Sequence, residues 1–164
     1  MVIDTNVIRA ADGRASHASD DCQAASAGLL GRAACEVVHL DAGIEILREY
    51  LGELDQTQPY RAGTRFVHEL LRIQADPRRC IRVPITPDAT RGYTEFPDDD
   101  RLRNFDADDR KFVAVAVGAG APRPVIVNAT DSDWAPVADV FAEHGVVVEQ
   151  LCPQDHPRLR AGRE

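Results

Sequence analysis

The chain has 164 residues, which fits one compact domain. Hydrophobic residues make up 44% and charged residues 28% of the sequence, so there is enough apolar side chain for a core and extensive disorder is excluded. With 27 acidic against 19 basic residues the formal net charge is -8, which excludes a protein that binds nucleic acid through general electrostatic attraction.

Short apolar runs rich in β-branched residues alternate with stretches of helical spacing. The predicted strands are 1–4, 37–40, 125–128 and 146–149, and the predicted helices are 22–34, 44–54, 60–73, 108–118 and 134–143. We expect Asp20 or Asp21 to cap the first of these helices, and Asp41 to cap the second. The alternation predicts an α/β fold with a parallel sheet that is covered by helices on both faces.

One segment, 76–105, interrupts this alternation. It contains four prolines, the acidic triplet 98–100 and a possible edge strand at 80–85. Because the segment is about twice as long as an ordinary unstructured connection, we expect a long loop with a functional or covering role. We expect a single domain over 1–152, followed by a polar tail at 153–164.

The cysteines and the hydropathy pattern bear on the cellular compartment. The four cysteines are far apart and show no Cys-x-x-Cys spacing, so we expect buried, reduced thiols and no zinc knuckle or redox pair. The sequence has no run of about 18 apolar residues and does not begin with a basic segment followed by an apolar one. These features predict a cytoplasmic protein with no membrane partner.

Carboxylates follow the predicted strands at the edge where ligands of parallel sheets bind. Asp4 ends the first strand, and Asp131 and Asp133 follow the third. Glu49 lies in the second predicted helix, and Asp106, Asp108 and Asp109 lie at the start of the fourth. Of these three, Asp109 lies three and four positions before the apolar Phe112 and Val113, which directs it inward. Because clustered carboxylates raise one another's pKa, a hard divalent cation is needed to relieve the repulsion. The sequence therefore predicts a Mg²⁺ or Mn²⁺ site.

Four segments in this order match one known family. They are Val2-Ile3-Asp4-Thr5-Asn6, then 46–50 (Ile-Leu-Arg-Glu-Tyr), 108–116 (Asp-Asp-Arg-Lys-Phe-Val-Ala-Val-Ala) and 131–134 (Asp-Ser-Asp-Trp). On these segments, which together span nearly the whole chain, the sequence resembles the PIN-domain ribonucleases, a family that includes the VapC-type toxins of bacterial toxin–antitoxin pairs. The fold that this resemblance implies is a three-layer sandwich whose central parallel sheet has four to five strands.

The resemblance also implies a metal-dependent endoribonuclease site. Its catalytic acids are Asp4, Glu49, Asp109 and Asp131. Asp4, Asp109 and Asp131 are the implied metal ligands, with Asp133 as a supporting or substitute ligand, and Thr5 and Asn6 support Asp4. The implied partners are an RNA substrate, a cognate antitoxin protein and a second copy of the chain as a homodimer.

The expected chemistry is hydrolysis of an RNA phosphodiester with one or two Mg²⁺ or Mn²⁺ ions. Glu49 is expected to bind a second ion or to position the attacking water. Four basic residues near these segments are candidate phosphate contacts: Arg9, Arg48, Arg110 and Lys111.

Several alternatives stay open at the level of sequence. A catalytically inactive PIN-like module that binds a protein or RNA partner would share every packing feature. Glu49 also fits a solvated acidic stripe on its helix. The fourth acid is either Asp131 or Asp133, and Trp134 is interpreted as a packing residue rather than as a platform for base stacking.

Overall fold

The computed structural model describes residues 1–155, which form a mixed α/β fold with six α-helices and a small parallel sheet of three strands. The strands are β1 (Val2–Ile3), β2 (Val38–Asp41), β3 (Cys80–Val83), β4 (Pro87–Asp88), β5 (Gly92–Tyr93), β6 (Ile126–Asn128) and β7 (Val148–Gln150). The helices are α1 (Thr5–Ala11), α2 (Asp20–Ala33), α3 (Glu45–Gly52), α4 (Ala62–Ile73), α5 (Arg110–Gly118) and α6 (Ala138–Glu143). None of these helices has both the length and the apolar composition needed to cross a membrane.

The three-stranded sheet has the order β1-β6-β7, and all of its pairings are parallel. Strands β2 and β3 form a separate parallel pair, and β4 and β5 form a short antiparallel hairpin. The His39 N–H of β2 donates to the carbonyl of Met1 at 2.8 Å, which links the pair to the start of β1. β1 and β6 are buried, as expected for strands covered on both faces, and their carboxyl ends lie at the same edge.

The four predicted strands are confirmed within two residues at either end, and the five predicted helices are present. Helix α1 is an addition, since it begins immediately after β1 with Asp4 as its N-cap. The predicted cap of α2 is wrong: Ser19 Oγ accepts from the Cys22 N–H at 3.2 Å, because the helix already begins at Asp20. Asp41 does cap α3, accepting from the N–H groups of Glu45 and Ile46 at 2.7 and 2.8 Å.

The 76–105 segment has more regular structure than a loop. It contains β3, which is the expected edge strand, the β4-β5 hairpin and a 3-10 helix at Asp100–Leu102. Phe96, Leu102 and Phe105 are buried and anchor the segment in the main core. The segment therefore covers part of the domain, as expected from its length.

Two cysteines are joined, contrary to the expectation of four reduced thiols. Cys22 and Cys152, separated by 130 positions, form a disulfide, whereas Cys35 and Cys80 are free. The expectation of burial was also wrong for Cys35, which is exposed. Sequence spacing carried no signal for the disulfide, because the fold brings the chain after β7 to the start of α2.

The chain after the disulfide continues as a short 3-10 helix at Pro153–Asp155. The carboxylate of Asp155 accepts from the N–H and the hydroxyl of Ser19 at 2.9 and 2.7 Å. Asp155, the third residue of the predicted tail, is thus bound to the residue that caps α2. The remainder of the predicted tail, 156–164, lies outside the described residues.

Candidate metal centre

Three carboxylates meet at the carboxyl edge of β1 and β6. Asp4 follows β1, Asp131 lies in the turn after β6, and Asp109 directly precedes α5. One oxygen atom from each lies within 4.8 Å of the other two. We call these three residues the acid triad. Its spacing and its all-oxygen donor set are those of a group that could hold a hard metal ion, directly or through water.

Asp4 is the most enclosed member of the triad, with only 3% of its surface exposed. Its Oδ1 accepts from the main-chain N–H of Asn6 at 3.0 Å, and its Oδ2 accepts from the indole N–H of Trp134 at 2.8 Å. Its own main-chain N–H donates to the carbonyl of Val127 at 3.0 Å, which extends the pairing of β1 with β6. Both carboxylate oxygens are therefore held by donors from different parts of the chain.

The side chain of Asn6 binds residues of the turn that leads to Asp131 and does not bind Asp4. Its Nδ2 donates to Asn128 Oδ1 at 2.7 Å, and its Oδ1 accepts from the Ala129 N–H at 2.8 Å. Asn128 in turn donates to the carbonyl of Asp131 at 2.7 Å. Asn6 thus orients Asp4 through its backbone and shapes the Asp131 turn through its amide. Sequence reasoning missed Asn128, although a polar residue at the end of an apolar buried strand was a signal for it.

The structure places Asp131, and not Asp133, in the acid triad. Asp133 is exposed, and its main-chain N–H donates to Asp131 Oδ1 at 2.8 Å. This hydrogen bond closes a tight turn in which Asp131 belongs to the triad and Asp133 does not. Asp133 supports the geometry of Asp131 from outside the triad.

Two members of the triad, Asp4 and Asp109, have strongly raised pKa values. Burial raises the pKa of Asp4 to about 7, and the carboxylates of Asp131 and Glu49 add to the rise against the opposing hydrogen bonds from Asn6 and Trp134. Burial likewise raises the pKa of Asp109 to about 8, with further contributions from Asp4 and Asp131. A cation among these groups would remove the repulsion that disfavours their ionised forms.

Glu49 lies outside the triad and forms a salt bridge with a lysine. Its carboxylate is 2.6 Å from the ammonium group of Lys111, whose side chain is only 9% exposed. Lys111 also donates to the carbonyl of Asp108. The charge of Glu49 nevertheless contributes to the raised pKa of Asp4, so the side chain is close enough to influence the triad.

The four candidate phosphate contacts fall into two classes. Lys111 is paired as described, and Arg110 donates to the carbonyls of Arg103 and Phe105, so both cations hold the fold together. Arg9 is about half exposed and lies 3.9 Å from Glu53, and Arg48 is exposed with no ion pair among residues 1–155. Arg9 and Arg48 are therefore the two whose charge remains accessible to a ligand.

These two arginines line separate cavities, and each cavity is also lined by residues close in sequence to members of the triad. Each cavity has a volume of about 210 Å³. The Arg9 cavity is also lined by Asn6 and Thr130, which adjoin the Asp4 and Asp131 positions. The Arg48 cavity is also lined by Glu49 and Asp108, which precedes Asp109. Each of the two cavities thus carries an accessible guanidinium group.

Thr5, the residue after Asp4, is buried, and its hydroxyl has no hydrogen-bond partner among the described residues. Buried hydroxyl groups are normally satisfied by protein or water. An unsatisfied polar atom next to the triad fits a site that takes a further polar ligand.

Comparison of this chain with protein-family models, with curated proteins and with solved structures gives no match.

Proposed function

We propose that the chain is a Mg²⁺- or Mn²⁺-dependent endoribonuclease with a PIN-like core. The observation that carries this proposal is the convergence of Asp4, Asp109 and Asp131, whose oxygens lie within 4.8 Å of one another although the residues are far apart in sequence. The resemblance of four segments to PIN-domain ribonucleases supplies the reaction class. A site built only of oxygen ligands favours Mg²⁺ or Mn²⁺ over softer metals.

The three residues of the triad would hold the ion. Bound there, the ion would supply Lewis-acid stabilisation for the negative charge that develops on the phosphodiester during hydrolysis. Asp4 is fixed by its two donors before any ligand arrives, and the main chain of Asp131 is fixed by the Asn128 amide, which is itself bound by Asn6. This preorganisation reduces the reorganisation needed when the substrate binds.

In this proposal Arg9 and Arg48 bind phosphates on either side of the scissile bond. Their cavities are lined by Asp108 and by Thr130, which directly precede Asp109 and Asp131 in sequence, and in this proposal an extended strand crosses the triad from one cavity to the other. Single-stranded or looped RNA fits this arrangement better than duplex RNA, because unstacked nucleotides follow a bent path more easily. The acidic net charge is compatible with such a substrate if the ion neutralises the triad.

We also propose that the two parallel sheets act as one five-stranded PIN-like layer in the order β3-β2-β1-β6-β7. The support is the hydrogen bond from the His39 N–H to the Met1 carbonyl and the contact of the amino terminus with the Val37 carbonyl at 2.8 Å. All neighbouring strands that pair along this order are parallel. The layer would place the triad at its carboxyl edge, next to β1 in the centre.

One observation favours the alternative of a catalytically inactive module. Glu49, expected to bind a second ion or position water, is instead paired with Lys111. In such a module the triad would bind a cation without cleaving RNA, and the protein would act through a protein or RNA partner. Metal binding alone therefore does not separate the two candidates, whereas cleavage does.

The decisive experiment is Mn²⁺-dependent cleavage of a mixed RNA substrate by the purified chain. Asp4→Asn and Asp131→Asn are the test variants, and Asp20→Asn, an exposed carboxylate on α2, is the matched control. We expect cleavage by the wild type and by the control, and loss of cleavage in both test variants and in excess EDTA. Cleavage that survives EDTA or Asp4→Asn would overturn the proposal.

The same proposal includes a toxin role, with a cognate antitoxin protein, a homodimer and a cytoplasmic location. Expression of the wild-type chain in a bacterial host should then arrest growth, and Asp4→Asn should not. Sedimentation analysis of the purified chain tests the homodimer. Growth that is equally normal with both chains would remove the toxin role and leave the nuclease assignment intact.

A further inference from the structure

Trp134 is the single tryptophan of the chain and is completely buried. Its ring therefore has no free face on which a nucleotide base could stack. Its one polar atom, Nε1, donates to Asp4 Oδ2 at 2.8 Å. A buried donor that is directed at a candidate metal ligand has a role beyond filling space.

The indole is held in place by other aromatic rings. The ring centroid of Phe105 lies 4.9 Å away in an edge-on arrangement, and that of Phe141 lies 5.8 Å away. Phe105 also stacks with Phe96, and both belong to the 76–105 segment. Edge-on aromatic contacts fix the ring orientation as well as burying area. The long segment therefore helps to set the direction of the Trp134 N–H.

Trp134 also links two members of the triad, Asp131 and Asp4. It lies three residues after Asp131, so the turn carrying Asp131 is tied to the start of α1 at both ends. At one end Asn6 binds Asn128, and at the other Trp134 binds Asp4. Rotation of the Asp4 carboxylate would break the indole hydrogen bond, and movement of the turn would displace its donor.

We propose that Trp134 is a positioning residue, whose indole N–H fixes Asp4 in the orientation in which the triad binds a divalent cation. This inference rests on the proposed metal site and adds to it the group that orients its most buried ligand. Partners of metal ligands commonly control affinity, and their loss costs about tenfold to a hundredfold.

The first test is Trp134→Phe, which keeps an aromatic ring in the cluster and removes the donor. We expect the Mn²⁺ dissociation constant, measured by calorimetry, to rise by about tenfold to a hundredfold. Under the proposed function, RNA cleavage by this variant should be impaired at limiting Mn²⁺ and should recover at saturating Mn²⁺. Phe66→Leu is the packing control: it removes a buried ring on α4 whose aromatic partner is Tyr50 and not Trp134, keeps the donor, and should lower thermal stability while leaving Mn²⁺ affinity within about twofold.

The second test keeps Trp134 in place and therefore does not depend on the stability of Trp134→Phe. The single indole N–H should give one side-chain resonance in a ¹H–¹⁵N spectrum, and we expect it to shift in Asp4→Asn and on addition of Mg²⁺. A resonance that is unchanged in Asp4→Asn, or equal Mn²⁺ affinity in wild type and Trp134→Phe, would overturn the positioning role. Failure of the wild type to bind Mn²⁺, with the resonance still shifted in Asp4→Asn, would instead overturn the proposed metal site.

Discussion

The ammonium group of Lys111 lies 2.6 Å from the carboxylate of Glu49 and joins α5 to α3 beside the acid triad. The two partners are unequally buried, since the Lys111 side chain is 9% exposed and that of Glu49 is 37% exposed. Removing one partner leaves the other without its counter-charge, and this costs more for the group that water cannot reach. The pair therefore offers a way to separate a structural role of Glu49 from a chemical one.

We expect Glu49→Gln to lower the free energy of unfolding by about 2 kcal/mol and Lys111→Met to lower it by about 1 kcal/mol, because the first leaves a buried ammonium without its counter-charge. If Glu49 positions the attacking water, Glu49→Gln should also reduce cleavage about a hundredfold, and Lys111→Met far less. Urea denaturation and cleavage rates measure the two effects. Equal losses of cleavage in both variants would mean that Glu49 serves only as the partner of Lys111.

The stability of the metal-free protein should depend on pH through the triad. Asp4 and Asp109 have pKa values of about 7 and about 8, whereas unfolded aspartate has a value of about 4. The folded protein thus holds these protons more tightly, so their contribution to stability is complete below about pH 4 and is lost as pH rises to about 8. We expect thermal melting between pH 5 and 8.5 to show a smaller decline for Asp4→Asn than for the wild type. Equal declines would show that Asp4 does not titrate in this range.

Metal binding should have the opposite pH dependence, because the cation competes with these protons. Between pH 6 and pH 7 the Mn²⁺ affinity should rise by up to about a hundredfold if both carboxylates must lose a proton, and less steeply above that. Calorimetry in buffers with different ionisation enthalpies measures the protons released. An affinity that is constant from pH 6 to pH 8 would contradict the raised pKa values.

Many of the regular elements could be predicted from the sequence, because their signals are local. Apolar runs marked β1, β2, β6 and β7, and the position of Asp109 before Phe112 and Val113 gave its inward direction. The position of Asp4 after a buried strand placed it at the edge where ligands bind. These local signals, combined with the rule that parallel strands share one carboxyl edge, predicted a group of acids that contains the triad but also included Glu49 and left Asp131 and Asp133 as alternatives.

The features that could not be predicted depend on contacts between distant residues. Nothing local indicates that Lys111 neutralises Glu49, that Asn6 reaches Asn128, or that Trp134 donates to Asp4. The choice between Asp131 and Asp133 also required the turn geometry, in which one aspartate accepts from the backbone of the other. Such pairings are set by the packed fold, so residue type and spacing do not encode them.

The assignment of Arg9 and Arg48 as phosphate contacts predicts a specific salt dependence. In an Asp4→Asn background, in which the proposed function predicts no cleavage, Arg9→Ala and Arg48→Ala should each weaken binding of single-stranded RNA. Each should also reduce the slope of log affinity against log salt by about 0.7, the value for one lost contact to a single strand. Arg32→Ala, on the exposed surface of α2, is the control and should leave the slope unchanged. Fluorescence anisotropy at several salt concentrations measures this slope. Unchanged slopes in both test variants would contradict the proposal that Arg9 and Arg48 bind phosphates.

The Cys22–Cys152 disulfide should contribute substantially to stability, because it closes a loop of 130 positions and fixes the chain after β7 to α2. We expect reduction to lower the free energy of unfolding by about 2 to 4 kcal/mol. The combined variant Cys22→Ala and Cys152→Ala should no longer respond to reductant, whereas Cys35→Ser, which alters a free cysteine, should respond like the wild type.

Thiol titration of the denatured chain checks the same disulfide directly. Two thiols should react before reduction and four after it, since two of the four cysteines are paired. Disulfides are rare in reducing compartments, so a protein that works in the cytoplasm would hold this pair mainly as thiols. Its free energy of unfolding there would be the lower value expected for the reduced protein. Four reactive thiols in protein purified under oxidising conditions, or a melting temperature that reductant leaves unchanged, would contradict the stabilising role of the disulfide.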